Sequence, residues 1–207
     1  MASQPSYRTA PPRLVGGARA VDFANTVEWR GDPDARGERL TGYDEFLIWA
    51  EAAGLIDAAT HRRLTADASR RPAVARKVVR EAIAMREALA AVLAGHDGGA
   101  LARLNAALSA TRFSYRLETA SDGLRAVATG DVDALRAPLA QLVQDIVEFL
   151  ASDRLRRVGH CADHRCGWFF VDTSRNGSRL WCDMAGCGNK AKARAFYRRR
   201  RTSRAAP

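Results

Sequence analysis

The chain has 207 residues, of which 47 % are hydrophobic and 27 % charged, and a formal net charge of +10. That length suits one medium domain with a small appendage, or two modest domains. No stretch approaches the ~20 apolar residues of a membrane span, and Met1 to Pro12 lacks the apolar run of an export signal, so a cytoplasmic protein is expected.

Residues 1–13, with Pro5, Pro11 and Pro12, read as a flexible leader, with order beginning near Leu14. From Leu14 to about Arg30 small and apolar residues alternate without a period, so both helix and strand fit. Within this run Asp22, Asn25 and Thr26 are polar groups set among Val21, Phe23 and Val27. They are the candidate ligand pocket of the N-terminal unit, although such groups more often cap a helix or tie down a turn. Trp29 and Trp49 read as core. Gly31 to Gly37 reads as a loop.

Helical patterns follow. Thr41 is placed to cap a helix carrying Phe46, Leu47 and Trp49, which Gly54 ends, and Asp57 to cap a second helix reaching Ser69. Pro72 suits the first turn of a long third helix to Gly95, and a fourth spans Gly98 to Ala110. The period then changes to two: Phe113, Tyr115 and Leu117, then Leu124, Ala126 and Ala128, predict a β-hairpin turning at Ser121-Asp122-Gly123. A last broad-faced helix runs from Val132 to about Ser152, with Pro138 as a kink candidate. The expected fold is α+β and mostly helical: a helical domain with one hairpin over 14–152, then a small unit over 153–207.

All four cysteines fall in that second unit, as Cys161-x4-Cys166 and Cys182-x4-Cys187 separated by 15 residues. Two close pairs across such a spacer suit a tetrahedral site of four thiolates, which leaves no open position for catalysis and so predicts one structural Zn2+. Disulfides are the competing reading, and the absence of an export signal argues for reduced thiols. Trp168 to Asp172 reads as a strand, Asn176-Gly177 as its turn, and Arg179 to Cys182 as a returning strand. Knuckle, hairpin and a helix capped near Asn189 then follow a treble-clef-like order. Trp168, Phe170, Leu180 and Trp181 are expected in its small core or against the larger unit.

Charge is concentrated in the same place. Residues 1–150 carry 19 Lys and Arg against 19 Asp and Glu, whereas residues 151–207 carry 14 against 4. On a terminal helix Lys190, Arg194, Arg198 and Arg201 fall within about 80° of one another, with Lys192 and Arg199 opposite and Phe196 free to dock inward. These six cations are the candidate phosphate contacts for a polyanion, double-stranded DNA first and RNA second.

At this point the residues carry a resemblance. Cys187-Gly188-Asn189-Lys190, with Trp181-Cys182 and Phe170 to Asn176, resembles the CGNR zinc finger, and Val21 to Val27 resembles the signature of the ABATE domain that precedes it. The resemblance implies a bacterial protein, a zinc site made by Cys161, Cys166, Cys182 and Cys187, and a stress-linked transcription regulator whose finger binds DNA. Lys190 departs from the motif's final Arg, keeping the charge but losing the planar fork.

The expected function is therefore a zinc-finger DNA-binding transcription regulator with an N-terminal sensing or dimerisation domain, open to an unknown small-molecule effector. A homodimer is expected because one small finger rarely supplies enough specificity. The alternative is a structural zinc module that binds RNA or a protein partner. An enzyme is not expected: no catalytic triad spacing, phosphate-cradling Gly loop or HExxH occurs, and His160 and His164 read as exposed residues beside the first knuckle.

Overall fold

A computed structural model of the protein describes residues 6–95, 98–120, 123–129 and 132–204. His96 and the Ser121-Asp122 turn lie outside the described residues, as do the side chains of Arg198, Arg199 and Arg201. Seven α-helices and three short antiparallel ladders make up the described residues, so the mostly helical α+β class is what the chain adopts.

The open segment resolves into a short helix, α1 (Arg19–Ala24), then β1 (Val27–Glu28), which pairs with β2 (Gly37–Glu38) around the 29–36 loop. Helix α2 (Tyr43–Ala52) begins at Gly42, which has no side chain to cap it, so Thr41 does not serve as the cap. Gly54 ends that helical region in the left-handed conformation, at φ +67°. Asp57 caps α3 (Ala58–Arg70) by accepting from the Thr60 N–H at 2.7 Å. Pro72 opens α4 (Pro72–Gly95), whose 24 residues span about 36 Å and form the axle of the domain. Helix α5 (Gly98–Thr111) returns along it, and β3 (Ser114–Ala120) pairs with β4 (Gly123–Thr129) as the expected hairpin. Pro138 lies in the first turn of α6 (Ala137–Leu150), after a 3-10 turn at Ala134–Arg136, and so starts the helix rather than kinking it.

The core gathers Phe23, Phe46 and Trp49 from α1 and α2, Val78, Met85 and Leu89 from α4, and Leu139, Leu142 and Ile146 from α6, all buried. In the segment before Leu14, expected as a leader, Tyr7 is buried and Ser6, Ala10 and Pro12 are half-buried, while Arg8, Thr9, Pro11 and Arg13 are exposed. Tyr7 is buried under the Arg39 guanidinium, 4.3 Å from its ring, and Arg39 donates to the Ala10 carbonyl at 2.6 Å. A tyrosine with a cation above it resists the fraying that proline content suggests.

After a 3-10 turn at Asp153–Arg157, β5 (Val158–His160) pairs antiparallel with β6 (Phe169–Val171), enclosing the first cysteine pair. The expected returning strand at Arg179–Cys182 does not form, because the second edge of β6 is already occupied. There the Asn25 side chain donates to the Phe169 carbonyl at 2.8 Å and accepts from the Phe169 N–H at 2.9 Å, and the Gly16 carbonyl accepts from the Val171 N–H at 2.8 Å. The N-terminal unit thus takes up the hydrogen bonds of that edge without adding a strand. Strand alternation then feeds two cores: Phe169 and Val171 enter the large one, while Trp168 and Phe170 pack with the cysteines. Leu180 is 60 % exposed and belongs to neither.

Replacing Asn25, which is buried, with Ala leaves a buried N–H and C=O of Phe169 without partners. A loss of on the order of 2–4 kcal/mol in urea-unfolding stability is expected; a loss near zero would mean that the β6 edge finds other partners.

Candidate metal centre

The four cysteines converge although 26 sequence steps separate the first from the last. Cys161 and Cys166 sit on the knuckle between β5 and β6, which is closed by the Cys166 N–H donating to the Asp163 carbonyl at 2.8 Å. Cys187 lies in a π-helical turn, Met184–Gly188, and Cys182 just before it. Asp183, rather than Asn189, caps that turn, accepting from the N–H groups of Ala185 and Gly186 at 3.0 and 3.1 Å. Arg13 pairs with the same carboxylate. Helix α7 (Asn189–Arg204) continues directly from the π turn, so the second ligand pair forms its root.

All four Sγ atoms lie within 4.8 Å of one another, and each cysteine is buried. Cys166 to Cys182 measures 3.6 Å and Cys182 to Cys187 3.7 Å. A zinc tetrahedron with Zn–S of about 2.3 Å requires sulfur separations of about 3.8 Å, whereas a disulfide requires about 2.05 Å. The spacing matches zinc. Crowding also separates the thiols electrostatically: hydrogen bonds with Cys166 and Cys182 hold Cys161 far below its usual range, and Cys161 and Cys166 push Cys182 far above it. Four such groups ionise together only against a divalent cation. The donor set fits one structural zinc ion held by Cys161, Cys166, Cys182 and Cys187 and closed to further ligands. His160 and His164 are exposed outside this set, with the His160 ring stacked on Phe169 at 5.0 Å.

Arg179 organises the loop in place of a strand. It donates to the carbonyls of Val171, Trp181, Val15 and Cys182 and lies 4.4 Å from the centre of the Phe170 ring. Asp172 in turn accepts from the N–H groups of Ser174 and Arg179. Neither residue stood out in the sequence, where an Arg beside a turn reads as surface.

The knuckle is gripped by the 29–32 loop of the N-terminal unit. The Arg30 N–H donates to the Cys166 carbonyl at 3.0 Å, and Arg165 forks onto Asp32 at 2.6 Å. Gly31 is so close that a Cβ there would lie 1.8 Å from the His164 carbonyl oxygen, and a Cβ on Gly167, at φ +66°, would lie 2.7 Å from the Gly31 nitrogen. Trp29, expected in the core, is only half-buried and holds a left-handed backbone at φ +51°. Its ring is flanked by Lys190 at 4.7 Å and Arg165 at 5.9 Å. Behind the loop stands a charge hub that the sequence reading missed. Arg86, 1 % exposed, forks onto Glu38 with both distances 2.6 Å, and Glu87 accepts from Arg86, Arg30 and Arg36. Burial opposes ionisation of Glu38 and Glu87, and the guanidiniums outweigh it, holding both below the usual carboxylate range.

The candidate pocket residues are structural in their contacts. Asp22 accepts from the Gly16 N–H at 2.7 Å, Thr26 donates to the Phe23 carbonyl at 2.8 Å, and Asn25 clamps β6. The cavity they border holds only about 10 Å³. Among the basic residues, Arg194 donates to Asp163 at 3.3 Å, which ties the base of the Lys190/Arg194 row to the first knuckle. Lys192 is exposed, and Phe196, expected to dock inward, is 48 % exposed beside Tyr197.

Two outcomes follow. Stripping zinc with a strong chelator is expected to melt the finger and also to lower the melting temperature of the helical domain, because Phe169 and Val171 leave its core; a helical transition indifferent to the chelator in calorimetry would contradict the shared strand. Burial pushes the Asp22 carboxyl up to about 6, against the Gly16 N–H and the Arg179 charge, from an ordinary 3.8. A raised folded-state value means that the folded chain binds more protons between those two values, so the Asp22 contribution is full below about pH 4 and declines as pH rises to about 6. Asp22→Asn, which keeps the acceptor, is expected to gain about 1–3 kcal/mol relative to the wild type between pH 4 and 7 in urea unfolding; a difference independent of pH would sink this.

Comparison with known proteins agrees with the geometry. No curated protein matches the chain. The CGNR zinc finger model matches residues 157–200, which hold the four cysteines and most of α7. The ABATE model, described as "Putative stress-induced transcription regulator", matches residues 17–153. The chain therefore belongs to the ABATE family and carries a C-terminal CGNR zinc finger.

Proposed function

We propose that the protein is a DNA-binding transcription regulator of the bacterial cytoplasm, without catalytic activity, in which the zinc-rooted α7 grips duplex DNA and the ABATE domain senses a ligand or dimerises. One observation carries the reading. Helix α7 bears eight Lys and Arg among its 16 residues and no acid, and its root is fixed by zinc, Asp183, Asp163 and Trp29. A cationic helix held at one end presents its charges without the entropy of a loose tail. Lys190, Lys192 and Arg194 are all exposed and free to reach phosphates. Such contacts position a duplex without reading its sequence. The balanced charge of residues 1–150 leaves the polyanion to the finger.

The exposed Phe196 and Tyr197 favour a second reading, in which the helix stacks on unpaired bases of RNA. Competition separates them. Zinc-loaded protein is expected to prefer a duplex of mixed sequence over single-stranded RNA, with log K falling steeply with log salt. Neutralising Lys192, Arg198, Arg199 and Arg201 to Gln is expected to lower that slope by about 0.9 for each phosphate contact removed. Binding that ignores salt, or a slope unchanged in the quadruple variant, would defeat the proposal.

A further inference from the structure

The helical domain holds a hollow unrelated to the finger. It opens between the start of α2, the end of α3 and the start of α4, with a volume of about 480 Å³. That is the size of a site for a small organic molecule, in contrast to the cavity beside Asn25. Its floor is apolar, with Leu47, Ala75 and Val79 buried beneath it. Thr65 and Ser69 bring hydroxyls to the α3 wall.

The opposite wall carries Arg76 and Arg80, one turn apart on the same face of α4. Both are exposed, and neither meets a carboxylate among the described residues. Their neighbours differ: Arg71 is paired with Asp67 and Asp133, Lys77 and Arg136 with Glu81. The one acid lining the hollow, Asp44, pairs with Arg8 through Oδ2 at 2.7 Å, and its buried Oδ1 has no hydrogen-bond partner among the described residues, so it is open to a donor. An apolar floor under two unpaired guanidiniums complements an apolar body ending in an anion, and a guanidinium fork suits a carboxylate.

We infer that this hollow binds an amphiphilic carboxylate, a medium-chain or aryl acid, with its apolar body on Leu47, Ala75 and Val79 and its carboxylate on Arg76 and Arg80. Use of the site as a regulatory input rests on the DNA-binding reading; occupancy does not. The connection between the two is α4 itself. It runs from the hollow to Arg86 and Glu87, which hold the loop that grips the first knuckle, so a ligand that stiffens the start of α4 acts on the mount of the finger.

The test uses the full zinc-loaded chain and octanoate, with octanol as its uncharged analogue. Octanoate is expected to bind saturably in calorimetry and to raise the melting temperature, and octanol to bind at least about tenfold more weakly. Arg76→Gln with Arg80→Gln is expected to weaken octanoate by about tenfold or more while leaving zinc content and ligand-free melting unchanged. Ala68→Trp, on the groove wall, is expected to exclude both ligands. Equal binding of octanoate and octanol, octanoate affinity unchanged in the double Gln variant, or full binding to Ala68→Trp would overturn the assignment. So would a change of oligomeric state in these variants without octanoate binding to the wild type, since the occupant is then a second copy of the chain. Octanoate binding without any DNA binding would leave the site standing and remove only the function proposed for α7.

Discussion

A single carboxamide decides how the two family modules are joined. Asn25 presents an acceptor and a donor at the spacing of a strand backbone, and β6 takes it as its second neighbour. From that pairing the rest follows. Because Phe169 and Val171 face the helices, Trp168 and Phe170 must face the sulfurs, so three consecutive residues and their neighbour serve two cores. The stability of the finger is then a joint property of zinc and of the helical domain, not of the metal alone. A module with so few apolar residues of its own gains a permanent partner in place of a larger core.

Electrostatics divide along the same line. In the helical domain Arg39 and Arg86 are buried against Glu28 and Glu38, and their charges are spent internally. Leaving either partner alone would strand a charge in a region of low dielectric, so these pairs fix geometry more than they add stability. On α7, Arg194 reaches Asp163, while Lys190 and Lys192 are exposed.

The local parts of this structure were readable in the sequence because their causes are local. Asp57 and Pro72 announce helix starts, the alternation after Phe113 announces a hairpin, and two cysteine pairs announce a metal. What failed depended on distant residues. Nothing in Arg179 to Cys182 reveals that the edge it would pair with is held by a side chain 144 residues before Phe169. Tyr7 reads as leader until Arg39 covers it, and Arg86 reads as the polar face of α4 until Glu38 arrives from another ladder. Thr41 missed its role by one position, since α2 enters from Gly42 with extended backbone. Exposed Leu180 and Phe196 show the same limit from the other side: apolar character gives no direction without knowledge of what stands opposite.

The contact of Gly31 and Gly167 carries a consequence for anyone recombining these modules. Main chain meets main chain there, with no room for a methyl group on either side, so the fit depends on backbone trace rather than on replaceable side chains. A finger grafted from one relative onto the helical body of another would bring its own knuckle path and would collide or gape at this point. Working chimaeras should therefore exchange the stretch around Trp29 to Asp32 together with the finger, treating a fragment from the front half of the gene as part of the rear.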